Sequence, residues 1–215
     1  MITGAARGFG KSLVQKFRAD EYQIFGTARV VPEKIEQGDV WHKLDVSIYE
    51  HCVEAIEFGF EQFGRIDVLV NNASAYTGGA TIAEISKEDI DSELDTTLRG
   101  PMYLSKLYVE RARSQGFGKI IFVSSIAGLE GELECGSYSI YAAAKAGLIR
   151  FTETLNEDIQ KFGMQAHVLV PCSMQDLNTS PIEDAISYNA AAHQLLEIAK
   201  STNNSVFKTV LRPNI

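Results

Sequence analysis

Short, continuously apolar runs alternate along this 215-residue chain with longer stretches whose apolar residues recur at helical spacing. That alternation limits the fold more than any other feature. The runs are Gln23–Ala28, Val40–Leu44, Ile66–Val70, Lys119–Val123 and Ala166–Pro171. Between them Leu13, Val14 and Phe17 form one helical stripe, Val53, Ile56 and Phe60 a second, and Leu148, Phe151 and Leu155 a third. Strands apolar on both sides need cover on both faces, and strands separated by helices build βαβ units, so the pattern predicts a doubly wound parallel sheet between two helical layers. Right-handed crossovers then leave ligands beyond the carboxyl ends of the strands. Gly100-Pro101 interrupts the helical region between Asp89 and Gln115 and predicts two helices or one kinked helix. Both ends depart from the pattern. Only Met1 and Ile2 precede the first glycine turn, where a strand of about five residues is usual, so the N-terminal strand is expected to be truncated. Val206–Arg212 reads either as a late strand or as a poorly anchored tail.

Thr3-Gly4-Ala5-Ala6-Arg7-Gly8-Phe9-Gly10 leads directly into the amphipathic stretch Lys11–Glu21. Glycines at these positions allow a tight turn and a close approach of backbone N–H groups to a ligand. The helix start behind them offers unpaired donors and a positive dipole end to a phosphate. Three glycines alone are also compatible with an ordinary βα turn. The helix that follows, and the strand Gln23–Ala28 after it, favour a dinucleotide-binding, Rossmann-like α/β domain. Such a domain, when it prefers NAD, commonly carries Asp or Glu about twenty residues on; here the strand ends Ala28-Arg29 with no acid near. Arg29, helped by Arg7, suits charge-assisted bonds to a 2′-phosphate, so NADP is expected in preference to NAD. The alternative is two solvated surface arginines.

Charge narrows the partners. With 20 Lys+Arg against 28 Asp+Glu the net charge is −8, which argues against nucleic-acid backbones as ligands. No apolar run reaches the ~18 residues of a membrane span, and MITGAARGFG lacks a basic-then-apolar leader. A cytoplasmic setting is the expectation. Cys52, Cys135 and Cys172 are widely spaced, and His42, His51, His167 and His193 have no metal-ligand spacing. Neither a disulfide framework nor a metal is expected, and Trp41 reads as core.

Further motifs follow in order. Leu44-Asp45-Val46 closes the third strand, Asn71-Asn72-Ala73-Ser74 the fourth and Ser124-Ser125 the fifth. Tyr141-Ala-Ala-Ala-Lys145 lies on the next helix, and Val170-Pro171 ends the strand after it. In sequence and spacing these pieces resemble the short-chain dehydrogenase/reductase family over nearly the whole chain: its TGxxxGxG turn, adenine-contacting Asp, NNAG, catalytic serine, YxxxK and Pro-Gly. The resemblance implies a single NAD(P)-binding Rossmann domain over 1–215, with 172–215 as the variable substrate and C-terminal region. Gly4, Arg7, Gly8, Phe9, Gly10, Arg29, Asp45, Asn71, Tyr141 and Lys145 would contact the cofactor, and Ser125, Tyr141 and Lys145 would be catalytic. It also implies pairing of the helices over Pro101–Gln115 and Tyr138–Phe162 across a homodimer or homotetramer.

The chemistry is readable in the residues themselves. Tyr141 and Lys145 are four apart and share a helix face. A nearby ammonium favours the phenolate and draws the phenol down from its ordinary pKa near 10. The phenol can then pass a proton to a carbonyl oxygen, or take one from an alcohol. Tyr138 stands 13 residues after Ser125, a spacing common in the family, but Ala142 follows it at the tuning position, so Leu129–Ser139 is read as a lengthened loop with Tyr141 retained.

Four residues depart from the family pattern. Thr97 replaces an Asn implicated in a water relay, Ser74 the last glycine of NNAG, Cys172 a glycine whose backbone could require positive φ, and Asp176 a Thr that contacts the nicotinamide amide. Two functions follow as expectations. The first is an NADP(H)-dependent oxidoreductase, a carbonyl reductase or alcohol dehydrogenase acting on a small ketone or secondary alcohol. The alternative is a catalytically weak or inactive NADP-binding relative acting as a regulator or partner subunit. Substrate choice is expected to depend on Cys172–Glu183 and Leu129–Ser139.

Overall fold

A parallel sheet runs from Val40–Lys43 (β3) at one edge through Phe25–Ala28 (β2), Ile2–Thr3 (β1), Val68–Asn71 (β4), Gly118–Val123 (β5) and Met164–Pro171 (β6) to Lys208–Leu211 (β9) at the other. This is a computed structural model, and it describes residues 1–78, 80–131, 139–176, 185–202 and 207–213. All the strand pairs are parallel. Met174–Gln175 (β7) and Ile186–Ser187 (β8) form a separate two-stranded ribbon. The late strand is therefore real: Val206–Arg212 contributes β9, paired with β6, rather than a loose tail. Tyr138, Cys135, Glu132, Glu134 and residues 177–183 of the expected specificity loop lie outside the described residues.

Helices cover both faces. Gly8–Ala19 (α1) and Tyr188–Lys200 (α6) pack on one, where Leu13, Val14 and Phe17 meet Leu195 and Leu196. Tyr49–Phe63 (α2), Gly100–Ala112 (α4) and Ser139–Ile159 (α5) pack on the other through Ile56, Phe60, Leu104, Tyr108 and Leu148. β1 lies between β2 and β4, so the strand order reverses there and a crevice opens at the carboxyl ends of those strands.

Lys87–Leu94 (α3) starts at a side-chain cap: Ser86 Oγ accepts from the Asp89 N–H at 3.0 Å and donates to the Asp89 carboxylate at 2.7 Å. The Gly100-Pro101 interruption yields neither a break nor two separate helices. α3 runs through a π-helical segment, Asp95–Arg99, into α4, and the Gly100 N–H bonds back to the Asp95 carbonyl. Pro101 has no N–H to offer the Thr97 carbonyl, and the widened turn absorbs the missing bond.

β1 spans Ile2–Thr3. The Met1 ammonium donates to the Val68 carbonyl at 2.8 Å, and burial lowers its pKa to about 5. A cavity of about 350 Å³ lies beneath it at the amino ends of β1, β2 and β4, away from the crevice. Trp41 packs its ring over Gly26 of β2, and His42 stacks on Phe58 with centroids 4.8 Å apart. No helix among the described residues is long and apolar enough to cross a membrane.

Candidate active site

The crevice is held shut at its base by Thr3 and Asn72. Thr3 Oγ1 accepts from the N–H groups of Asn72 and Ala73, each at 3.0 Å, and donates to the Val70 carbonyl at 3.3 Å. The Asn72 amide donates to the Thr3 and Gly4 carbonyls at 2.9 and 3.3 Å. The glycine turn is thereby fastened to the end of β4. Thr3 and Asn72 each lie in a motif of the sequence, but the contact between them carries no local signal, because they are almost seventy positions apart.

α1 begins at Gly8, with Arg7 in extended backbone at its N-cap and no side chain occupying the cap. The first N–H groups of the helix are therefore open to a ligand. A Cβ on Gly10 would fall 2.1 Å from the Gly4 carbonyl oxygen, so only glycine lets the helix start this close to the turn. Phe9 is buried. Arg7 and Arg29 are both exposed. Thr3 pairs with Thr27, so the segments carrying the two arginines leave the sheet at the same end. Asp45, beyond β3, is half-buried and accepts from Ser47 N and Oγ at 3.1 and 2.6 Å through one carboxylate oxygen. Asn71 is 1% exposed, and neither its amide nitrogen nor its amide oxygen has a partner among the described residues.

The second cluster stands at the end of β5. Ser124 is buried and donates from its hydroxyl to the Lys145 carbonyl at 2.9 Å. Ser125 caps the short 3₁₀ turn Ile126–Gly128, its oxygen accepting from Ala127 N at 3.2 Å. Its hydroxyl proton has no acceptor among the described residues. Gly128 presses that turn against α5: a Cβ there would lie 2.6 Å from Lys145 C and Ala146 N. Lys145 is 2% exposed, and its ammonium donates to the Val123 carbonyl at 2.9 Å and lies 5.3 Å from the Tyr141 ring centroid. Burial pulls the Lys145 pKa down to about 7. Ser125, Tyr141 and Lys145 are thus gathered where β5 meets α5. Tyr76, 46% exposed, sets its ring edge-on to Tyr141 with centroids 5.5 Å apart. Sequence spacing carried no signal for Tyr76.

The four departures have local structural answers. Thr97, fully buried in the π segment, bonds Ser74 Oγ at 3.1 Å, accepts from Ala75 N at 3.1 Å and donates to the Ala75 carbonyl at 3.2 Å. The two substituted positions are therefore one hydroxyl pair, and Ser74 turns toward Thr97. Cys172 sits in ordinary backbone, since Glu21 is the one described non-glycine residue with positive φ. Its N–H joins the β6–β9 ladder through the Leu211 carbonyl at 3.0 Å. Asp176 is exposed. Among the described residues no group of three or more His, Cys, Asp or Glu is placed to hold a metal.

A family profile described as short chain dehydrogenase matches residues 1–208. The chain is 40% identical over 184 residues to an uncharacterized oxidoreductase of Thermotoga maritima, covering 81% of this chain and 71% of that one. It is 32% identical over 176 residues to an acetoacetyl-CoA reductase of Shinella zoogloeoides, covering 80% of this chain and 71% of the relative. Among solved structures, an alcohol dehydrogenase from the archaeon Thermococcus sibiricus, complexed with 5-hydroxy-NADP, superposes with a TM-score of 0.86 over 98% of this chain and 94% of that one, at 24% identity.

Proposed function

We propose that this chain, which belongs to the short chain dehydrogenase family, is an NADP(H)-dependent oxidoreductase that moves hydride between the nicotinamide and a small ketone or secondary alcohol. The observation that carries the reading is the pairing of Tyr141 with a buried Lys145, beside a Ser125 whose hydroxyl proton is unspent.

The crevice fits a dinucleotide. The Gly4–Gly10 contact leaves a bare backbone surface at the start of α1, whose open N–H groups suit a pyrophosphate. The Asn71 amide, buried at the end of β4 and without a partner among the described residues, has donor and acceptor capacity that suits a group in the crevice. Arg7 and Arg29 supply positive charge suited to a 2′-phosphate, and no acid directly follows Ala28-Arg29 in the sequence. Asp45, beyond β3, would contact the adenine. The reductase and dehydrogenase names of the relatives, and the 5-hydroxy-NADP in the solved neighbour, agree with this assignment.

When bound, the nicotinamide supplies or accepts the hydride; proton handling falls to the chain. In reduction Tyr141 gives its phenolic proton to the carbonyl oxygen, and in oxidation it takes the proton of the alcohol. Ser125 donates to the same oxygen and orients it. Lys145 stabilises the phenolate and holds the cofactor ribose. Residues 172–215 shape the substrate side.

A second reading, a cofactor-binding protein with little turnover, is favoured by one observation. The Thr97 hydroxyl is already spent on Ser74 and Ala75, so it is not free to order a water for proton resupply to Lys145. Fluorescence titration with NADPH and NADH, followed by a ketone panel assayed beside Tyr141→Phe, separates the two. NADPH binding with turnover that vanishes in Tyr141→Phe supports the enzyme. NADPH binding without Tyr141-dependent turnover supports the second reading, and preference for NADH overturns the roles given to Arg7 and Arg29.

A further inference from the structure

The glycine turn has a second wall that no motif announces. Tyr188, the first residue of α6, lays its phenol against Gly8, the first residue of α1. A Cβ built on Gly8 would sit 3.7 Å from the Tyr188 hydroxyl oxygen and 3.9 Å from Cζ. The ring also meets Phe9, the next residue of the turn, with centroids 6.2 Å apart and planes inclined by 38°. The two helices consequently begin side by side at the mouth of the crevice.

Tyr188 is delivered there by the β7–β8 ribbon. Met174 pairs with Ile186 and Gln175 with Ser187, which returns the chain from the end of β6 to the start of α6. Ser187 caps the helix, accepting from Ala190 N at 3.1 Å. The ring is half-buried against the cluster that joins α1 and α6. Packing accounts for the ring, which a phenylalanine would satisfy equally. It does not account for the hydroxyl, which makes no hydrogen bond among the described residues. Half-exposed at a positioned surface, that oxygen is left to water and can donate to an anion that displaces the water.

We propose that Tyr188 is a cofactor-binding residue whose hydroxyl donates to the pyrophosphate held at the start of α1. This rests on the reading of the glycine turn as an NADP site. The chemistry is favourable at this spot. The turn offers backbone donors, Arg7 is exposed, and Asp176, the last described residue before 185, is an exposed carboxylate that cannot donate to a phosphate. A neutral phenol adds a donor without adding charge to a site that already has two arginines near it. The β7–β8 ribbon and α6 thereby take part in binding from a side of the crevice that the glycine motif does not reach.

Three ligands titrated calorimetrically into the wild-type chain and Tyr188→Phe test this: NADPH, 2′-phospho-ADP-ribose, which keeps the pyrophosphate without the nicotinamide, and 2′-AMP, which lacks the pyrophosphate. The expected result is a Kd raised roughly 3–10-fold for NADPH and 2′-phospho-ADP-ribose, with 2′-AMP unchanged. KM for NADPH rises in the same variant while kcat holds, and its melting curve overlays that of the wild type. Unchanged affinity for all three ligands overturns the proposal, as does an equal loss for 2′-AMP, which would mark a general disturbance of the turn. If the wild-type chain binds neither NADPH nor 2′-phospho-ADP-ribose, the cofactor reading itself fails, and the proposal with it.

Discussion

Lys145 donates its ammonium to the carbonyl of Val123, 2.9 Å away, so the candidate lysine is tied to the last residue of β5 and sealed from water. The unfolded chain keeps this proton up to about pH 10.5, whereas the folded chain releases it near pH 7. Unfolding between those values takes up a proton, so stability rises with pH across the window, by on the order of 5 kcal/mol over its full width. Lys145→Met should flatten that rise. Lys119, which burial also lowers, contributes to both proteins alike. Urea midpoints followed from about pH 7 to about pH 9.5 isolate the difference, and parallel curves would refute it.

The hydroxyl pair makes a second prediction. Thr97→Val removes the acceptor of the Ala75 N–H in a fully buried place and should cost about 2 kcal/mol. Ser74→Ala should cost less, about 0.5–1 kcal/mol. Because the two share a bond, the double variant should fall short of the sum, which a denaturation cycle measures.

Gly10→Ala drives a methyl against the Gly4 carbonyl oxygen and to within 2.7 Å of the Asn72 amide nitrogen. Backbone cannot yield as a flexible side chain can, so a loss of about 3 kcal/mol is expected. The displaced Asn72 would loosen the turn, and NADPH affinity should drop by roughly tenfold or more. Calorimetry and ligand titration on one preparation check both.

Arg29→Ala should raise the Kd for NADPH about tenfold and leave that for NADH unaltered, because the contact proposed for Arg29 is to the 2′-phosphate alone. Equal loss for both coenzymes would assign Arg29 a structural role instead.

The apolar runs placed β2 to β6 within a residue or two; burial on both faces explains this for β2, β5 and β6, but not for the edge strand β3, none of whose residues is buried. The stripe Leu13, Val14, Phe17 likewise marked the buried side of α1. The π segment was not legible: Gly100-Pro101 says that one hydrogen bond is lost, and only the packing of Thr97 against Ser74 and Ala75 decides how the helix absorbs it. The placement of Ser125 after β5 and of Tyr141 and Lys145 on α5 was legible because their spacing lies on two adjacent elements, while their roles remain the proposal. The contacts of Asn72 and Tyr188 were not legible. Their partners, Gly4 and Gly8, are remote in sequence, and a side chain that works across such a distance leaves no local period.

In β1, Ile2 pairs with Gly26 and Val70, and Thr3 pairs with Thr27. The sheet is therefore two leaves stitched along a short seam, β3 and β2 on one side and β4, β5, β6 and β9 on the other. The same Thr3 that completes the stitch also grips Asn72 and Ala73. A displacement between β1 and β4 would therefore be felt at the glycine turn, because Thr3 belongs both to the strand pairing and to the bonds that fasten the turn.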